Sequence, residues 1–580
     1  MEESTEKKGN KISNFFKNKE NLVLVLIIVF ALIIRIWVYI KTLNQPIWWD
    51  EGDYLAAAKR WGLSLNIHDI WYYRRAFLLP VIWAGLYKLS GSEAVLRFTE
   101  VIFSWLVVYF TYLLGKEMFN KHVGLIAAFG VAASRINIFL TGRLLTELPA
   151  TCFFTLGLYF LWKGYVNDKK YKFLVLGAVF IGLGIMTRFA LLMSLIPLTI
   201  LFITTEGKKV FKSKYVWSFF IIFLIISTPF LILYKTHYPG GLSDFYKHYT
   251  GAREKVETGK SPFMGWSGVW QYFMNYLSNT GTLFVAFLIG LVYILIDLVF
   301  GFDLVFKDKE VRNKLFMLIL VLTPVFVHGL FSEYVEERYL IYAYPTMLII
   351  AGFGLVRAYE YLTGKNIGYV VFGGFVGLLS YHLAKNFTFV SLLNFNLLLK
   401  SLIVFLPILI VCVLIGLLYY YIIKKVDIKK SGVVGLFITF LILGAYLQVG
   451  FGKDITLYKK YGQLPLKEAG EFIKLNSEPR DIVYCESQPQ MQYYSERSVY
   501  RYGEYIEEKD IREFLTEEGF LKRIKEQKPK YMVISIFEGH PDWIYEFIQK
   551  RTDLIEPVKI WFSDPEKTKM MLIVFKFKSY

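Results

Sequence analysis

The chain has 580 residues, 55% of them hydrophobic and 18% aromatic, and its mean hydropathy of +0.42 is more apolar surface than a soluble fold can hide. That composition excludes an ordinary cytosolic domain and points to a polytopic membrane protein. The formal net charge of +18 does not call for nucleic acid, because many of the lysines sit in short loops between apolar runs, where membrane topology and anionic headgroups account for them.

In chain order, a lysine-rich cytoplasmic N-terminus (1–20) precedes an apolar run that lacks a small-residue cleavage site and is expected to stay as an anchor. Runs long enough to cross a ~30 Å hydrocarbon core follow near 21–40, 93–114, 122–141, 146–163, 172–188, 190–206, 215–234, 276–300, 315–331, 340–358, 367–384, 394–423 and 432–452. The pair around Arg188 also reads as one re-entrant hairpin, and the 394–423 run as kinked at Pro407. The basic clusters Lys163/Lys169/Lys170/Lys172, Lys208/Lys209/Lys212/Lys214, Lys307/Lys309/Arg312/Lys314 and Lys424/Lys425/Lys429/Lys430 then fall on the cytoplasmic side. The loops 41–92 and 235–275, the turn at 141–146, the segment 332–339 and everything after 452 fall on the other side.

Residues 21–452 therefore read as a transmembrane domain and 453–580 as an extracytoplasmic α/β domain of roughly 125 residues, enough to fold alone. In that tail, helices are expected at 465–475, 511–525 and 541–549 and strands at 481–485 and 531–536. A hairpin of 558–562 and 570–577 is expected about Asp564-Pro565. Cys152, Cys412 and Cys485 form no disulfide framework or ligand motif. His237 and His248, with Asp244 between them, fit no common metal-ligand spacing, and His328 reads as a hydrogen-bonded histidine within a span. Asn386-Phe387-Thr388 is an acceptor sequon too close to the membrane to be informative.

Chemistry gathers on the extracytoplasmic side. Pro46-Ile47-Trp48-Trp49-Asp50-Glu51-Gly52-Asp53 places three carboxylates beside two tryptophans at headgroup level, either as catalytic acids or as the first turn of a capped helix. Arg74 and Arg75 in the same loop suit a phosphate, or anchor to headgroups. Arg143 and Glu147 stand one helical turn apart at a mouth between two spans, free for a substrate or joined in a local salt bridge. Glu336-Glu337-Arg338-Tyr339 offers another arginine beside an aromatic ring, or a snorkelling end of a span. Carboxylates facing arginines at a lipid boundary match what transfer from a lipid phosphate needs, with a base for the acceptor and cations for the leaving group.

With these motifs in order, the chain resembles the GT-C superfamily of polyprenyl-phosphate-sugar-dependent glycosyltransferases, in its branch of protein O-mannosyltransferases and aminoarabinose transferases. The residues that carry the resemblance are Asp50-Glu51, the stretch Glu93 to Gly115 opened by Leu96-Arg97-Phe98, the Arg143/Glu147 turn and Arg338-Tyr339-Leu340. The resemblance implies a mainly α, GT-C-like bundle of about thirteen transmembrane helices with an extracytoplasmic α/β domain. It also implies an inverting single displacement from a polyprenyl- or dolichyl-phosphate sugar, a mannose-like hexose or a pentose, to a protein, glycan or lipid acceptor. By the same resemblance Asp50 is the general base, and Glu51 and Glu147 shape its site. Arg75, with Arg74 as its alternate, and Arg338 face the lipid phosphate, and Arg143 and Tyr339 complete the substrate-binding set. No cofactor is required, although Asp50 and Asp53 could share a divalent ion. The chain departs from the family where Ala76-Phe77 follows Arg75 in place of the Pro-Pro of bacterial relatives, and its 235–275 loop is too short for the β-trefoil of eukaryotic mannosyltransferases. The competing reading is a polytopic lipid or sugar transporter or flippase, which calls for internal repeats, broken helices and ionisable groups at mid-membrane. Only Arg35, deep in the first span, fits that description.

Overall fold

A computed structural model describes residues 19–71, 75–237, 264–281, 283–331, 335–364, 428–502, 516–563 and 566–578. The expected spans at 367–384 and 394–423, the Asn386 sequon, Cys412, Asp244, His248, Arg74, the Asp564-Pro565 turn and the start of the 511–525 helix lie outside the described residues.

The membrane part runs through α1 (Lys19–Thr42), α2 (Trp49–Leu63), α3 (Leu78–Ser90), α4 (Glu93–Met118), α5 (Lys121–Ala133), α6 (Arg135–Thr141), α7 (Glu147–Leu161), α8 (Tyr171–Thr187), α9 (Leu195–Glu206), α10 (Lys214–His237), α11 (Trp266–Thr280), α12 (Leu283–Gly301), α13 (Lys309–Phe331), α14 (Tyr344–Gly364) and α15 (Ile428–Tyr458). Among the described residues, 8 segments are long and apolar enough to cross a membrane, or 9 when one bent pair counts as a single span. The protein is thus a multi-pass membrane protein of mainly α architecture. Glycines let its helices close on one another, as hydrocarbon surroundings favour: a Cβ on Gly115 would lie 2.9 Å from Gly124 Cα, and one on Gly290 would lie 2.2 Å from Ile350 O.

The expected spans differ in detail at three places. The 122–141 run is α5 and α6, bent by 53° about Ser134. Arg35 helps such a break survive in a membrane: its guanidinium donates to Ala132 O, to Val131 O at 3.1 Å, which Ser134 N also reaches at 3.4 Å, and to Ser104 Oγ at 3.2 Å, supplying donors to carbonyls at the helix end. The 276–300 run begins instead as a separate helix, α11, before α12. Around Arg188 the chain leaves α8 in an extended conformation (φ −153°), makes a short 3-10 turn over Phe189–Ser194 and re-enters a helix at α9, so Arg188 sits at the apex.

The tail contains α16 (Leu464–Leu475), β1 (Ile482–Cys485), α17 (Gln488–Ser495), β2 (Ser498–Tyr500), α18 (Glu517–Gln527), β3 (Tyr531–Ser535), α19 (Trp543–Lys550), β4 (Ile555–Phe562) and β5 (Met570–Phe577). The five strands form one sheet in the order β2-β1-β3-β5-β4, with β2, β1 and β3 parallel and the β4/β5 hairpin antiparallel. Val483, Val533 and Val574 are fully buried at its centre. Sequence patterning missed α17 and β2, because Gln488-Pro489-Gln490 and a three-residue strand carry almost no periodic signal.

The missed helix carries much of the contact between the two parts. Tyr494 OH accepts from Ile47 N at 2.8 Å, Tyr493 OH donates to Glu93 Oε2 at 2.6 Å, Lys59 pairs with Glu496 at 2.7 Å, and Gln492 donates to His68 O at 2.6 Å. Contact is close enough that a Cβ on Gly52 would lie 2.9 Å from Gln490 N, a backbone atom that cannot step aside. Gly52→Ala is therefore expected to push α17 off α2 and cost about 1–3 kcal/mol, read as a lower melting temperature in detergent. An unchanged melting temperature would show that the contact is soft.

Candidate active site

The acidic loop folds locally into the start of α2. Trp48 is its N-cap, and Glu51, three residues on, reaches back to Trp48 N at 2.6 Å, the reciprocal half of a capping box. Helical spacing then sends the three acids to different places. The side chain of Glu51 is 0% exposed and that of Asp53 1%, but that of Asp50 is 26% exposed, so Asp50 alone of the three can meet a substrate.

Two arginines from distant segments grip Asp50. Arg75 Nη2 lies 3.0 Å from Asp50 Oδ1 and 2.7 Å from Asp53 Oδ2, while Arg338 Nη2 lies 2.6 Å from Asp50 Oδ2. Burial, the largest influence on the Asp50 carboxyl, pushes its pKa up, yet the charges of Arg75 and Arg338 outweigh it and hold the pKa down at about 2. A depressed acid is ionised throughout the physiological range. Its stabilising effect is complete above the ordinary 3.8 and is lost as pH falls toward about 2. The pH profile of any activity that uses Asp50 as its base should accordingly show no acidic limb from Asp50 within the usual carboxylate range. A limb in that range, absent in Asp50→Asn, would contradict the resting geometry.

Arg338 ties Asp50 to a second carboxylate, since its Nη1 is 3.6 Å from Glu147 Oε1 and its Nε is 3.4 Å from Glu336. Glu147, buried at the start of α7, also receives Arg188 Nη1 at 3.1 Å, and the Arg188 guanidinium lies over the Tyr339 ring at 5.4 Å. His328 packs against Tyr339 at 5.3 Å and Tyr272 at 5.8 Å, an aromatic sandwich beside this pair. Glu337 turns the other way, to Arg135 at 2.9 Å, which also donates to Asn279 at 3.1 Å.

Arg143 and Glu147 do not form the local salt bridge that their spacing allowed. Arg143 donates to Glu51 behind the site, with Leu144 N also donating to Glu51 at 2.6 Å, and its guanidinium lies 3.7 Å from the centre of the Trp48 ring. At 1% exposure Arg143 supports the Asp50 helix from within, away from any substrate surface. Arg188, 14% exposed, takes the place beside Glu147 and Arg338. Its charge in an apolar stretch was the available signal, but sequence reading treated it only as a turn.

The structure therefore gathers Asp50, Asp53, Arg75, Glu147, Arg338 and Tyr339 around one mouth and places Glu51 and Arg143 behind it. Among the described residues no three His, Cys, Asp or Glu side chains group as a metal site, and between Asp50 and Asp53 stands the Arg75 guanidinium.

Residues 74–233 match the family described as dolichyl-phosphate-mannose-protein mannosyltransferase. The fold is similar to that of ArnT from Cupriavidus metallidurans bound to undecaprenyl phosphate, at 13% identity and TM-score 0.60 over 95% of this chain and 97% of that one. It is also similar to the Archaeoglobus fulgidus oligosaccharyltransferase in its apo form, at 13% identity and TM-score 0.59 over 90% of this chain and 70% of that one. The same archaeal protein, AglB, in complex with an inhibitory peptide and a dolichol-phosphate matches at 13% identity and TM-score 0.57 over 98% of this chain and 75% of that one. No curated protein matches by sequence. The chain has the GT-C fold that its motifs implied.

Proposed function

We propose that this protein is a membrane glycosyltransferase that moves a sugar from a polyprenyl-phosphate donor to an acceptor hydroxyl or amine, at a site on the extracytoplasmic face of a prokaryotic plasma membrane or the lumenal face of the endoplasmic reticulum. The observation that carries the reading is Asp50 held between Arg75 and Arg338, a base and two phosphate ligands in direct contact. Family and fold likenesses to proteins whose structures hold undecaprenyl phosphate or dolichol-phosphate support the same donor class.

The arrangement suits an inverting displacement because its charges can be exchanged between base and leaving group. A phosphodiester donor carries one negative charge and binds through Arg75 and Arg338. The acceptor oxygen or nitrogen attacks the anomeric carbon, the carbon–oxygen bond to phosphate breaks with its electron pair going to the phosphate, and Asp50 takes the acceptor's proton. Asp50 is neutralised, and its hold on the arginines weakens, as the phosphate gains its second charge. Arg188 and Glu147 keep Arg338 aligned through this exchange, and Tyr339 lines the side of the mouth that Arg188 covers.

A divalent ion shared by Asp50 and Asp53 would have to displace Arg75 from between them. The guanidinium already supplies the positive charge that such an ion would bring, so the reaction proposed here is metal-independent. Among the described residues the features a transporter calls for include the α5/α6 break and the buried Arg35, and the two account for each other, because the Arg35 guanidinium donates to Ala132 O and Val131 O at that break.

The test is transfer of labelled sugar from a panel of polyprenyl-phosphate sugars by purified protein in detergent, with and without EDTA. Transfer that EDTA leaves unchanged supports the reading, and loss of transfer with EDTA refutes its metal independence. If no donor in the panel is consumed, the reading fails. Arg338→Lys, which keeps the charge but loses the forked contact to both oxygens of a phosphate, is expected to slow transfer roughly 10–100-fold with a smaller change in donor KM. Activity at the wild-type level would remove Arg338 from the leaving-group site.

A further inference from the structure

Arg135 opens α6 on the far side of the α5/α6 break, and segments distant in sequence meet on it. Its backbone N–H, which a continuous helix would send to Val131 O, donates instead to Gln448 Oε1 of α15 at 3.3 Å. Its Nε donates to Asn279 Oδ1 near the end of α11 at 3.1 Å, and its Nη2 reaches both oxygens of Glu337, at 3.0 and 2.9 Å. The groups that hold it are themselves fixed. Asn279 is fully buried, and its Nδ2 donates to Asn275 O at 3.1 Å. Gln448, also buried, packs so closely on Gly281 that a Cβ there would collide with its Nε2. The 53° bend between α5 and α6 thus starts a new helix where these groups converge, and its first residue carries the guanidinium that joins them.

Glu337, the acid so gripped, stands next to Arg338. Both belong to a 3-10 segment, Glu337–Ala343, whose hydrogen-bond geometry is poorer than that of an α-helix, so side-chain ties decide where it sits. On one side Arg338 offers one nitrogen each to Asp50, Glu147 and Glu336. On the other, the tie is Glu337 to Arg135. With Glu337 40% exposed and Arg135 15% exposed, that pair adds little to stability, and its effect is on geometry. The two sides differ during transfer. In the proposed step Asp50 takes a proton, loses its charge and loosens its hold on Arg338 just as the phosphate gains charge. Arg135 and Glu337 exchange no proton and keep their charges, so the segment holds its register while Arg338 passes from base to leaving group.

We propose that Arg135 is a positioning residue for the leaving-group arginine: through Glu337 it fixes the 3-10 segment so that the Arg338 guanidinium meets the donor phosphate, and the α5/α6 break is what places it there. The proposal rests on the glycosyltransferase reading for its effect on transfer, but its geometric half is read without a donor. Full-length wild type and Arg135→Gln in detergent are compared by hydrogen–deuterium exchange and by sugar transfer. Faster amide exchange is expected in the variant's peptide spanning Glu337–Ala343, with none in the tail strands β1 and β3. Equal exchange in that peptide overturns the proposal, as does a rise of the same size in the tail strands, which would be general loosening. In transfer, kcat of Arg135→Gln is expected to fall about tenfold with a smaller change in donor KM. Arg338→Ala and the double variant Arg135→Gln/Arg338→Ala are expected to be equally slow, because Arg135 then has no guanidinium to place. Wild-type transfer by Arg135→Gln overturns the proposal. So does a further loss of about tenfold in the double variant, since it would show Arg135 acting by another route. Glu337→Gln, which loosens the same tie from its other end, is the second variant if Arg135→Gln loses its monodisperse elution profile, and the same changes in exchange and transfer are expected. If wild type consumes no donor, the glycosyltransferase reading fails and the exchange result still decides the positioning.

Discussion

Asp50→Asn is expected to reduce sugar transfer roughly 10²–10⁴-fold, the usual contribution of a positioned general base, while donor affinity stays the same or improves. The asparagine keeps the shape of the side chain but cannot take the acceptor's proton, and it no longer competes with the donor phosphate for Arg75 and Arg338. Loss of kcat with unchanged or lower donor KM is therefore the signature of a base that shares its arginines with the leaving group. A variant that loses donor binding instead would make Asp50 a structural clamp for the arginines. Transfer within severalfold of wild type would remove it as the base.

Glu51→Gln is expected to cost about 3–5 kcal/mol of stability, because it leaves the Arg143 guanidinium buried without its counter-charge. The same change removes a charged acceptor from Trp48 N and Leu144 N, which fix the start of α2 and the turn before α7. Unfolding in detergent, followed by melting temperature, should show a large drop for Glu51→Gln and for Arg143→Met. The double variant should recover much of the loss, because replacing both partners removes the buried unpaired charge. Additive losses would mean that the two residues act separately, and a stable but inactive Glu51→Gln would return Glu51 to the catalytic group that the resemblance implied.

The positions of the acids show how far a linear pattern can be read. Three carboxylates in four residues announced a site, and their sequence alone made them near equivalents. A helix beginning at Trp49 separates them by about 100° per residue, which turns Asp50 toward Arg338 and solvent and Glu51 inward to Arg143. Arg143 and Glu147 carry the same lesson. Their spacing favours a pair, yet each finds a better partner across the bundle, because a buried charge is held by the counter-charge with the best geometry and not by the one closest in sequence.

By itself the sequence determined that the chain is polytopic, where most of its described spans run, and that a small α/β domain follows them. Those features depend on composition and on short-range periodicity, which every residue reports locally. Only the tertiary structure decided that Arg75 and Arg338 meet on Asp50, that Arg188 and not Arg143 joins Glu147, and that Arg35 seals a broken helix. It alone revealed α17, the helix that seats the tail beside Asp50. Each of these is a contact between residues far apart in the chain, selected by the cost of leaving charges and backbone groups unpaired in a dry interior, and no local pattern records that cost.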